Sequence, residues 1–342
     1  MALFDSPDLV DWSQLWSPIS VDLPLYSSAP PPGVVAALAI LGSLGTSFLE
    51  AQTPADDALY QSGLAAFQAR DYVVAEQIFR TLYLDNHDSR GLNGIIETLA
   101  SQNRMGDAIR EVDEAIAAAP DRRDFKSARG NLYARAQRYD EAVAAFKDLL
   151  LEEPGSADLL FRLGETYRRK GDINLAADNF RKASQAAPNI TLPLIQLALV
   201  LETTGPANQA MATYEQILRL DPNNALALNN LAYRRAEEGL DLDAALVMAQ
   251  RAHQLAPNAA AMADTLGWIY LKKGMPDQAI VNLGEALQKD RNSVDIRNHL
   301  AAALDQKNNA PSWMHDLSIA LRGDPSAENE SRITELLQNI GK

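Results

Sequence analysis

Prolines recur along this chain at an almost constant spacing. From Pro120 the next prolines of the series follow at intervals of 34, 34, 34 and 35 residues, at Pro154, Pro188, Pro222 and Pro257. Pro325 lies two further periods of 34 residues beyond the last of these, with Arg291 at the skipped position. Self-similarity at a fixed period of this length is the sequence signature of stacked repeats. The spacing therefore predicts one supersecondary unit repeated end to end, without a single globular core.

A 34-residue unit with the proline at position 32 brings the rest of the chain into register. Position 20 is alanine in the first seven units, and position 8 is glycine or alanine in all but the second, where Ile96 replaces it. Position 24 is usually large, as in Phe79, Phe146 and Phe180. Small residues at positions 8 and 20 let two helices approach closely, while the large residue fills the space beside them. The units are predicted to begin near Asp56, Ser89, Arg123, Ala157, Thr191, Ala225, Ala260 and Val294, and the last to end near Ala327.

Apolar residues recur at helical spacing on both sides of a glycine-containing turn. In the fourth unit, Leu160 and Leu163 precede Gly171, and Ala176 and Phe180 follow it. This pattern predicts a helix, a tight turn and a second helix. The proline ends the second helix because it cannot continue one. Neither helix can bury its apolar stripe alone, so neighbouring units are expected to stack.

Composition and motifs exclude several classes of function. The chain has 31 Lys and Arg against 45 Asp and Glu, a net charge of −14, so it is a poor general binder of nucleic acid. It has no cysteine, which excludes disulfides, thiolate metal sites and a cysteine nucleophile. No zinc-protease, phosphate-loop or calcium-loop motif is present, and the four histidines are scattered. The sequence predicts a protein that is not an enzyme and uses no cofactor or metal.

Two units carry the repeat pattern most completely. They are residues 157–190, with Leu163-Gly164 and Ala176, and residues 260–293, with Leu266-Gly267 and Ala279. On these motifs the chain resembles the tetratricopeptide repeat (TPR) family. The resemblance implies an all-α fold, an α-solenoid in which eight TPR helix pairs (residues 56–327) form a right-handed superhelix. Residues 328–342 hold Ile333, Leu336, Leu337 and Ile340 on one helical face, which predicts a C-terminal capping helix.

The resemblance also implies where a partner would bind. In this family the concave groove is lined mainly by the first helix of each unit, at positions 2, 5, 6, 9, 12 and 13. Arginine can grip carboxylates in bidentate fashion, and asparagine can both donate to and accept from a peptide backbone. The candidate partner-binding residues are Asn131, Arg135, Phe161, Arg162, Glu165, Arg168, Arg169, Asn229, Asn230, Tyr233, Trp268 and Lys272. The alternative is that Arg162, Arg168 and Arg169 form ion pairs on the helix surface and that Trp268 packs between repeats.

The N-terminal 55 residues lie outside this pattern. Residues 1–32 form an acidic tail with prolines and two tryptophans, which is either a disordered tail or a strand that docks on a partner or a groove. Residues 33–51 are predicted to form a hydrophobic helix, and 33–49 carry no charge. That segment is either a membrane anchor at the lower limit of length for spanning a bilayer or an N-terminal cap stacked on the first repeat, with Pro54 as a stop.

These observations predict a non-enzymatic scaffold or adaptor that binds a protein or peptide segment in its concave groove. Two alternatives stay open. One is a membrane-attached assembly factor of a bacterial envelope system, of the polysaccharide-export or pilus type. The other is a non-catalytic regulatory subunit of an enzyme complex. The expected location is accordingly membrane-associated at the bacterial envelope, or otherwise soluble in the cytoplasm.

Overall fold

The computed structural model describes residues 54–85, 87–307, 310–323 and 327–340. Within these ranges the regular structure is α-helical throughout. The helices follow one another in pairs, and a short turn joins the two helices of each pair. The chain is therefore an all-α solenoid. The helices are α1 Pro54–Gln68, α2 Tyr72–Leu84, α3 Ser89–Ser101, α4 Met105–Ala118, α5 Arg123–Arg135, α6 Tyr139–Glu152, α7 Ala157–Lys170, α8 Ile173–Ala186, α9 Thr191–Thr204, α10 Ala207–Leu220, α11 Ala225–Glu237, α12 Leu242–Leu255, α13 Ala260–Lys272, α14 Pro276–Lys289, α15 Val294–Gln306, α16 Ser312–Leu321 and α17 Ala327–Leu337.

The described helices belong to two compact units that meet in sequence after Pro188. The first unit holds α1–α8 and the second holds α9–α17. Inside each unit, the two helices of a pair pack against each other and the second helix packs against the first helix of the next pair. Successive first helices also touch, as α1 with α3 and α11 with α13. This arrangement gives each unit a row of first helices beside a row of second helices.

The first helices of the second to eighth pairs begin at Ser89, Arg123, Ala157, Thr191, Ala225, Ala260 and Val294, where the repeat register placed the start of each unit. The first pair differs. Helix α1 begins at Pro54 rather than near Asp56, so this proline opens a helix, a position for which its fixed φ and missing N–H suit it. Residues 1–53 lie outside the described ranges, and with them the tail and the hydrophobic segment. The division of the chain into domains therefore stays a prediction.

Each of the five repeat prolines from Pro120 to Pro257 lies two residues beyond the end of a second helix. Helix α8 ends at Ala186, and Ala187 then takes φ −129° and ψ 73° before Pro188. Asp221, before Pro222, takes φ −134° and ψ 89°. A residue before proline is pushed out of the α region by the proline ring. Asp290 nevertheless takes φ −134° and ψ 90°, although Arg291 follows it. The packing of the repeat thus imposes the bend even where proline is absent.

Position 8 holds glycine where the two helices of a pair come closest. A Cβ added to Gly164 would lie 2.6 Å from the ring of Phe180, which is fully buried. The same collision, at 2.6 and 2.7 Å, would occur between Gly63 and Phe79 and between Gly130 and Phe146. The alanines at position 20 are fully buried in the same interiors: Ala75, Ala108, Ala142, Ala176, Ala210, Ala245 and Ala279. The periodic glycines are therefore packing residues.

The eighth pair keeps the helical hairpin although Trp313 stands at its alanine position. Helix α16 is formed, with only ten residues, and it buries Leu317 and Leu321. Helix α17 follows and adds Ile333 and Leu337 to the same apolar cluster. The second helix of this pair thus forms in spite of the sequence departure at position 20.

We expect Gly164→Ala to lower the free energy of unfolding by about 1–3 kcal/mol, because the added methyl must displace a buried aromatic ring in a close-packed interior. Gly106→Ala is the matched control, since it lies in α4 at an exposed position where an added Cβ meets nothing within 4 Å. That substitution should raise stability by about 1 kcal/mol through helix propensity alone. Urea unfolding followed by circular dichroism measures both. A Gly164→Ala variant as stable as the wild type would contradict the packing argument.

Arg291→Pro should raise the free energy of unfolding by about 0.4–1 kcal/mol, because Asp290 already has the backbone conformation that precedes proline and the substitution restricts only the unfolded chain. Pro222→Ala, at the equivalent position after Asp221, should lower it by a similar amount. Thermal and urea denaturation of the two variants test whether the added proline stabilises the fold and the removed proline destabilises it by a similar amount. Loss of stability in Arg291→Pro would show that the repeat geometry differs at this position.

Candidate partner-binding surfaces

The candidate residues lie on the first helices of the helix pairs, and both compact units contain some of them. In the first unit they lie on α5 and α7, here called the α5–α7 surface: Asn131, Arg135, Phe161, Arg162, Glu165, Arg168 and Arg169. In the second unit they lie on α11 and α13. Together with Glu237 on α11, Asp264 on α13 and His299 on α15, they form the α11–α15 surface: Asn229, Asn230, Tyr233, Glu237, Asp264, Trp268, Lys272 and His299.

Arg162 is a buried side chain, 7% exposed, that joins α7 to α5. Its Nε donates to both carboxylate oxygens of Asp158, at 2.9 and 2.8 Å, and its Nη1 donates to Oδ1 of Asn131 at 2.8 Å. The hydroxyl of Thr166 donates to the carbonyl oxygen of Arg162 at 2.7 Å. A guanidinium can be buried only with such partners. Arg162 and Asn131 therefore hold the two helices in register beneath the surface.

Arg168 and Arg135 lie nearer to solvent and are also engaged within the chain. Arg168 forms a two-point contact with Glu165, Nε to Oε1 at 3.2 Å and Nη2 to Oε2 at 2.8 Å. Glu165 itself is only 5% exposed. Arg135 on α5 donates through Nη1 to Glu97 on α3 at 2.6 Å. The alternative in which the arginines form ion pairs within the chain therefore holds for Arg162 and Arg168. It also holds for Arg135.

Arg169 is half-buried beside the same carboxylate. Burial lowers the pKa of its guanidinium, and the nearby charge of Glu165 opposes that shift. Arginine stays protonated at neutral pH in any case. Arg169 therefore contributes a fixed positive charge to the α5–α7 surface.

Phe161 points into the interior of its helix pair. It is 4% exposed, and its ring centroid lies 5.5 Å from that of Phe180. In the TPR family, position 5 lines the groove. In this helix pair, the ring of Phe161 at position 5 packs instead on the ring of Phe180, at position 24 of the second helix. Of the seven candidates in this unit, Arg135, Arg168 and Arg169 reach furthest toward solvent, with Asn131 partly covered.

Asn229 and Asn230 are buried on α11 and form a short amide chain. The amide nitrogen of Asn230 donates to the hydroxyl of Tyr214 on α10 at 2.8 Å, and that of Asn229 donates to Oδ1 of Asn230 at 3.2 Å. Buried amides require such partners. This chain ties the sixth pair to the second helix of the fifth pair.

Trp268 is held between three first helices. Its indole N–H donates to Glu237 on α11 at 2.7 Å, and its ring stacks on that of His299 on α15 with centroids 4.2 Å apart. The ammonium nitrogen of Lys272 lies 4.7 Å from the indole centroid and 3.3 Å from Glu237. Nδ1 of His299 lies 2.9 Å from Oδ1 of Asp264. The aromatic side chain is therefore fixed by contacts between repeats and remains partly open to solvent.

Sequence reasoning missed Glu237, Asp264 and His299. The signal that could have found them is the separation of about one repeat between each contacting pair: 31 residues from Glu237 to Trp268 and 35 from Asp264 to His299. Residues one repeat apart on equivalent helices come together when the units stack. A search for complementary polar residues at that separation would have indicated both contacts.

Tyr233, close to this cluster on α11, is half-buried. Burial, with the negative charges of Glu237 and Asp264, raises the pKa of its phenol to about 12. The hydroxyl is therefore neutral at physiological pH and remains able to donate a hydrogen bond.

Polar contacts between successive first helices recur throughout both units. We call this set the first-helix ladder. Its contacts in the first unit are Asp57 with Arg90, Glu97 with Arg135, and Asn131 with Arg162. In the second unit they are Glu202 with Arg234, Glu237 with Trp268, Asp264 with His299, and Arg297 with Glu330. The ladder positions the surface side chains of each unit through contacts between neighbouring repeats.

The described residues contain neither a helix that could span a membrane nor a cluster of metal ligands. None of the helices there combines the length and apolar character needed to cross a bilayer. Residues 33–49, for which the sequence leaves a membrane anchor open, lie outside these ranges. Across the same part of the chain, histidine and carboxylate side chains do not form a group of three or more that could hold a metal ion.

Stacked helix hairpins with an ordered polar face define a repeat protein of the α-solenoid class, which presents a surface instead of a catalytic pocket. Models of the tetratricopeptide repeat match residues 93–155, 127–189 and 193–224, so this part of the chain is built from such repeats. Proteins with this repeat generally mediate protein–protein interaction and are typically non-catalytic.

Similar proteins cover only parts of the chain. Superkiller complex protein 3 of Mus musculus is 28% identical over 103 residues, 30% of this chain and 7% of that protein. A TPR repeat-containing protein of Pseudomonas aeruginosa is 26% identical over 187 residues, 54% of this chain and 32% of that protein. The chain thus spans less than a third of the length of these two relatives. The crystal structure of YrrB, described as a TPR protein with an unusual peptide-binding site, shares 21% identity with a TM-score of 0.47, covering 54% of this chain and 95% of that one.

We expect Arg162→Ala to lower the free energy of unfolding by about 2–4 kcal/mol, because it removes a buried guanidinium with partners on two helices. Arg110→Ala is the control. Its side chain is 73% exposed and pairs only with Asp107 in its own helix, so its effect should stay within about 0.5 kcal/mol. Urea unfolding measures the difference. Equal effects of the two substitutions would show that Arg162 does not act as a link between α5 and α7.

Proposed function

We propose that this chain is a non-enzymatic scaffold or adaptor that binds a protein segment along the exposed side of its first helices. The observation that carries the proposal is the first-helix ladder. It holds polar side chains such as Arg135 and Trp268 in fixed positions through contacts with the neighbouring repeat. A surface ordered before binding lowers the conformational entropy lost on association.

The candidate residues divide into two roles in this proposal. Those that reach solvent make the contacts with the partner: Arg135, Arg168 and Arg169 in the first unit, and Tyr233, Trp268 and Lys272 in the second. Those beneath them hold the helices in place: Asn131, Phe161, Arg162, Glu165, Asn229 and Asn230.

The charge of the α5–α7 surface supports an acidic partner segment. Of the seven residues of this surface, four are arginines and one is a glutamate, in a chain whose net charge is −14. Complementary charge directs association and orientation more than it adds affinity. A partner carboxylate could take the place of Glu97 on Arg135, because that contact lies near solvent.

A peptide selection tests this proposal. The full chain is immobilised and used to select from a random peptide library, and the selected peptides should be enriched in Asp and Glu. The variant Arg135→Gln/Arg168→Gln removes two charges from the α5–α7 surface while keeping hydrogen-bonding side chains. It should weaken the selected peptides about tenfold or more, measured by fluorescence anisotropy.

The matched control is Arg110→Gln/Arg181→Gln, which removes two exposed arginines from second helices. It should leave the affinity unchanged. Melting curves from circular dichroism establish that both double variants are folded. Peptides without an acidic preference, or equal affinities for the two double variants, would refute an acidic partner on this surface.

The assembly-factor and regulatory-subunit alternatives draw no support from a contact among the described residues. Both remain alternatives to the scaffold proposal, and a co-purifying catalytic chain would favour the second.

A further inference from the structure

Three arginine side chains of the α5–α7 surface lie within range of one another's charge. Arg135 is in the last turn of α5, and Arg168 and Arg169 are in the last turn of α7. Arg135 and Arg169 both occupy position 13 of their repeats, where none of the other first helices has an arginine. Burial lowers the pKa of the Arg169 guanidinium most, and the positive charges of Arg168 and Arg135 lower it further, against the opposing charge of Glu165.

Two carboxylates of the chain contact these arginines, and they differ in how deeply they lie. Glu165 is only 5% exposed and makes the two-point contact with Arg168. Glu97 on α3 has a side chain that is 34% exposed, and it contacts Arg135 through one hydrogen bond. An ion pair of this exposed kind contributes little to stability. An incoming anion can therefore replace Glu97 at small cost, while Glu165 stays in place.

The charge that such an anion would meet is that of a dianion site. With Glu97 released, three arginine charges face the single charge of Glu165, so two positive charges are left without compensation. The two other basic side chains of α7 have carboxylate partners of their own: Arg162 with Asp158, and Lys170 with Asp140 and Asp172. A carboxylate would compensate only one of the two charges. A phosphate monoester carries a charge of about −1.5 to −2 at neutral pH and would compensate both.

The hydrogen-bond donors of the surface also suit a phosphate. Arg168 gives Nε and Nη2 to Glu165, and Arg135 gives Nη1 to Glu97. Within the described part of the chain, Nη1 of Arg168 and both Nε and Nη2 of Arg135 have no acceptor. A phosphate monoester offers three strong acceptor oxygens, one more than a carboxylate, so it can accept from α5 and α7 at the same time.

We propose that the α5–α7 surface binds a phosphorylated serine or threonine of the partner segment. This inference rests on the proposed function, because it specifies the acidic group that the surface takes. Arg135, Arg168 and Arg169 would hold the phosphate dianion, with Glu97 displaced into water and Glu165 orienting Arg168. Recognition of phosphorylated segments by clustered arginines is an established mode of peptide binding.

Three pools of short degenerate peptides test the proposal. They differ only at two central residues, which are phosphoserine-Ala, Glu-Glu or Glu-Ala, and their flanking positions exclude Asp and Glu. Binding of each fluorescein-labelled pool to the full chain is measured by fluorescence anisotropy. The phosphoserine pool should bind about tenfold or more tighter than the Glu-Ala pool. It should also bind tighter than the Glu-Glu pool, because that pool divides the same charge between two side chains.

The ratio of the phosphoserine affinity to the Glu-Ala affinity identifies the residues responsible. Arg169→Gln should reduce this ratio to about threefold or less, because one of the two uncompensated charges is removed. Arg135→Gln, at a more exposed side chain, should do the same. A loss of folding would instead weaken all pools alike and leave the ratio unchanged. Arg181→Gln, at an exposed arginine of the second helix α8, is the matched control and should keep the wild-type ratio.

Three results would overturn the proposal: equal affinities for the phosphoserine and Glu-Glu pools, no binding of any pool, or a wild-type ratio in both Arg169→Gln and Arg135→Gln. If the glutamate pools bind and phosphoserine has no advantage, the acidic partner of the proposed function stands and the phosphate alone is refuted. If the phosphoserine pool is favoured in wild type but equally so in both variants, the phosphate binds elsewhere on the chain. The two proposals therefore fail separately.

Discussion

The close approach of the two helices in each pair is the contact on which the rest of the structure depends. Where position 8 is glycine, the large side chain at position 24 lies where a Cβ would otherwise be, as Phe180 does against Gly164. This contact fixes how each first helix is rotated about its axis. The rotation in turn decides which side chains face the preceding pair and which face solvent.

Most of the fold could be predicted from the sequence because its constraints are local and repeated. Glycine at position 8, alanine at position 20 and proline at position 32 each act within one pair, and their period placed the start of seven first helices. Two departures show that the repeat structure forms even where one residue of the pattern is replaced. Asp290 adopts the bend without a proline after it, and α16 forms with Trp313 at the alanine position. Pro54 was offered as a stop in the capping-helix alternative; it is the first residue of α1, and a proline alone does not distinguish the end of one helix from the first turn of the next.

The candidate surfaces were predictable only in part. The pairing of Arg162 with Asp158 follows from their spacing of four residues on one helix. Its contact with Asn131 does not, because it depends on which faces of α5 and α7 meet. Phe161 was expected in the groove and lies inside the pair, because the ring of Phe180 offers it an apolar partner. Trp268 makes contacts between repeats, which the sequence left as an alternative, and it does so through residues about one period away.

The engagement of the surface arginines within the chain bears on what kind of binding the surface supports. A partner carboxylate that reaches Arg168 must compete with Glu165, whose ion pair is already formed at short range. The net gain is then a difference between two similar contacts, so it is smaller than for an arginine that starts in water. A partner would then be selected by the arrangement of several of its carboxylates together, because each single contact between a carboxylate and an arginine would contribute little. Because a partner carboxylate would be held mainly by electrostatic attraction, binding of this kind would weaken as the ionic strength rises.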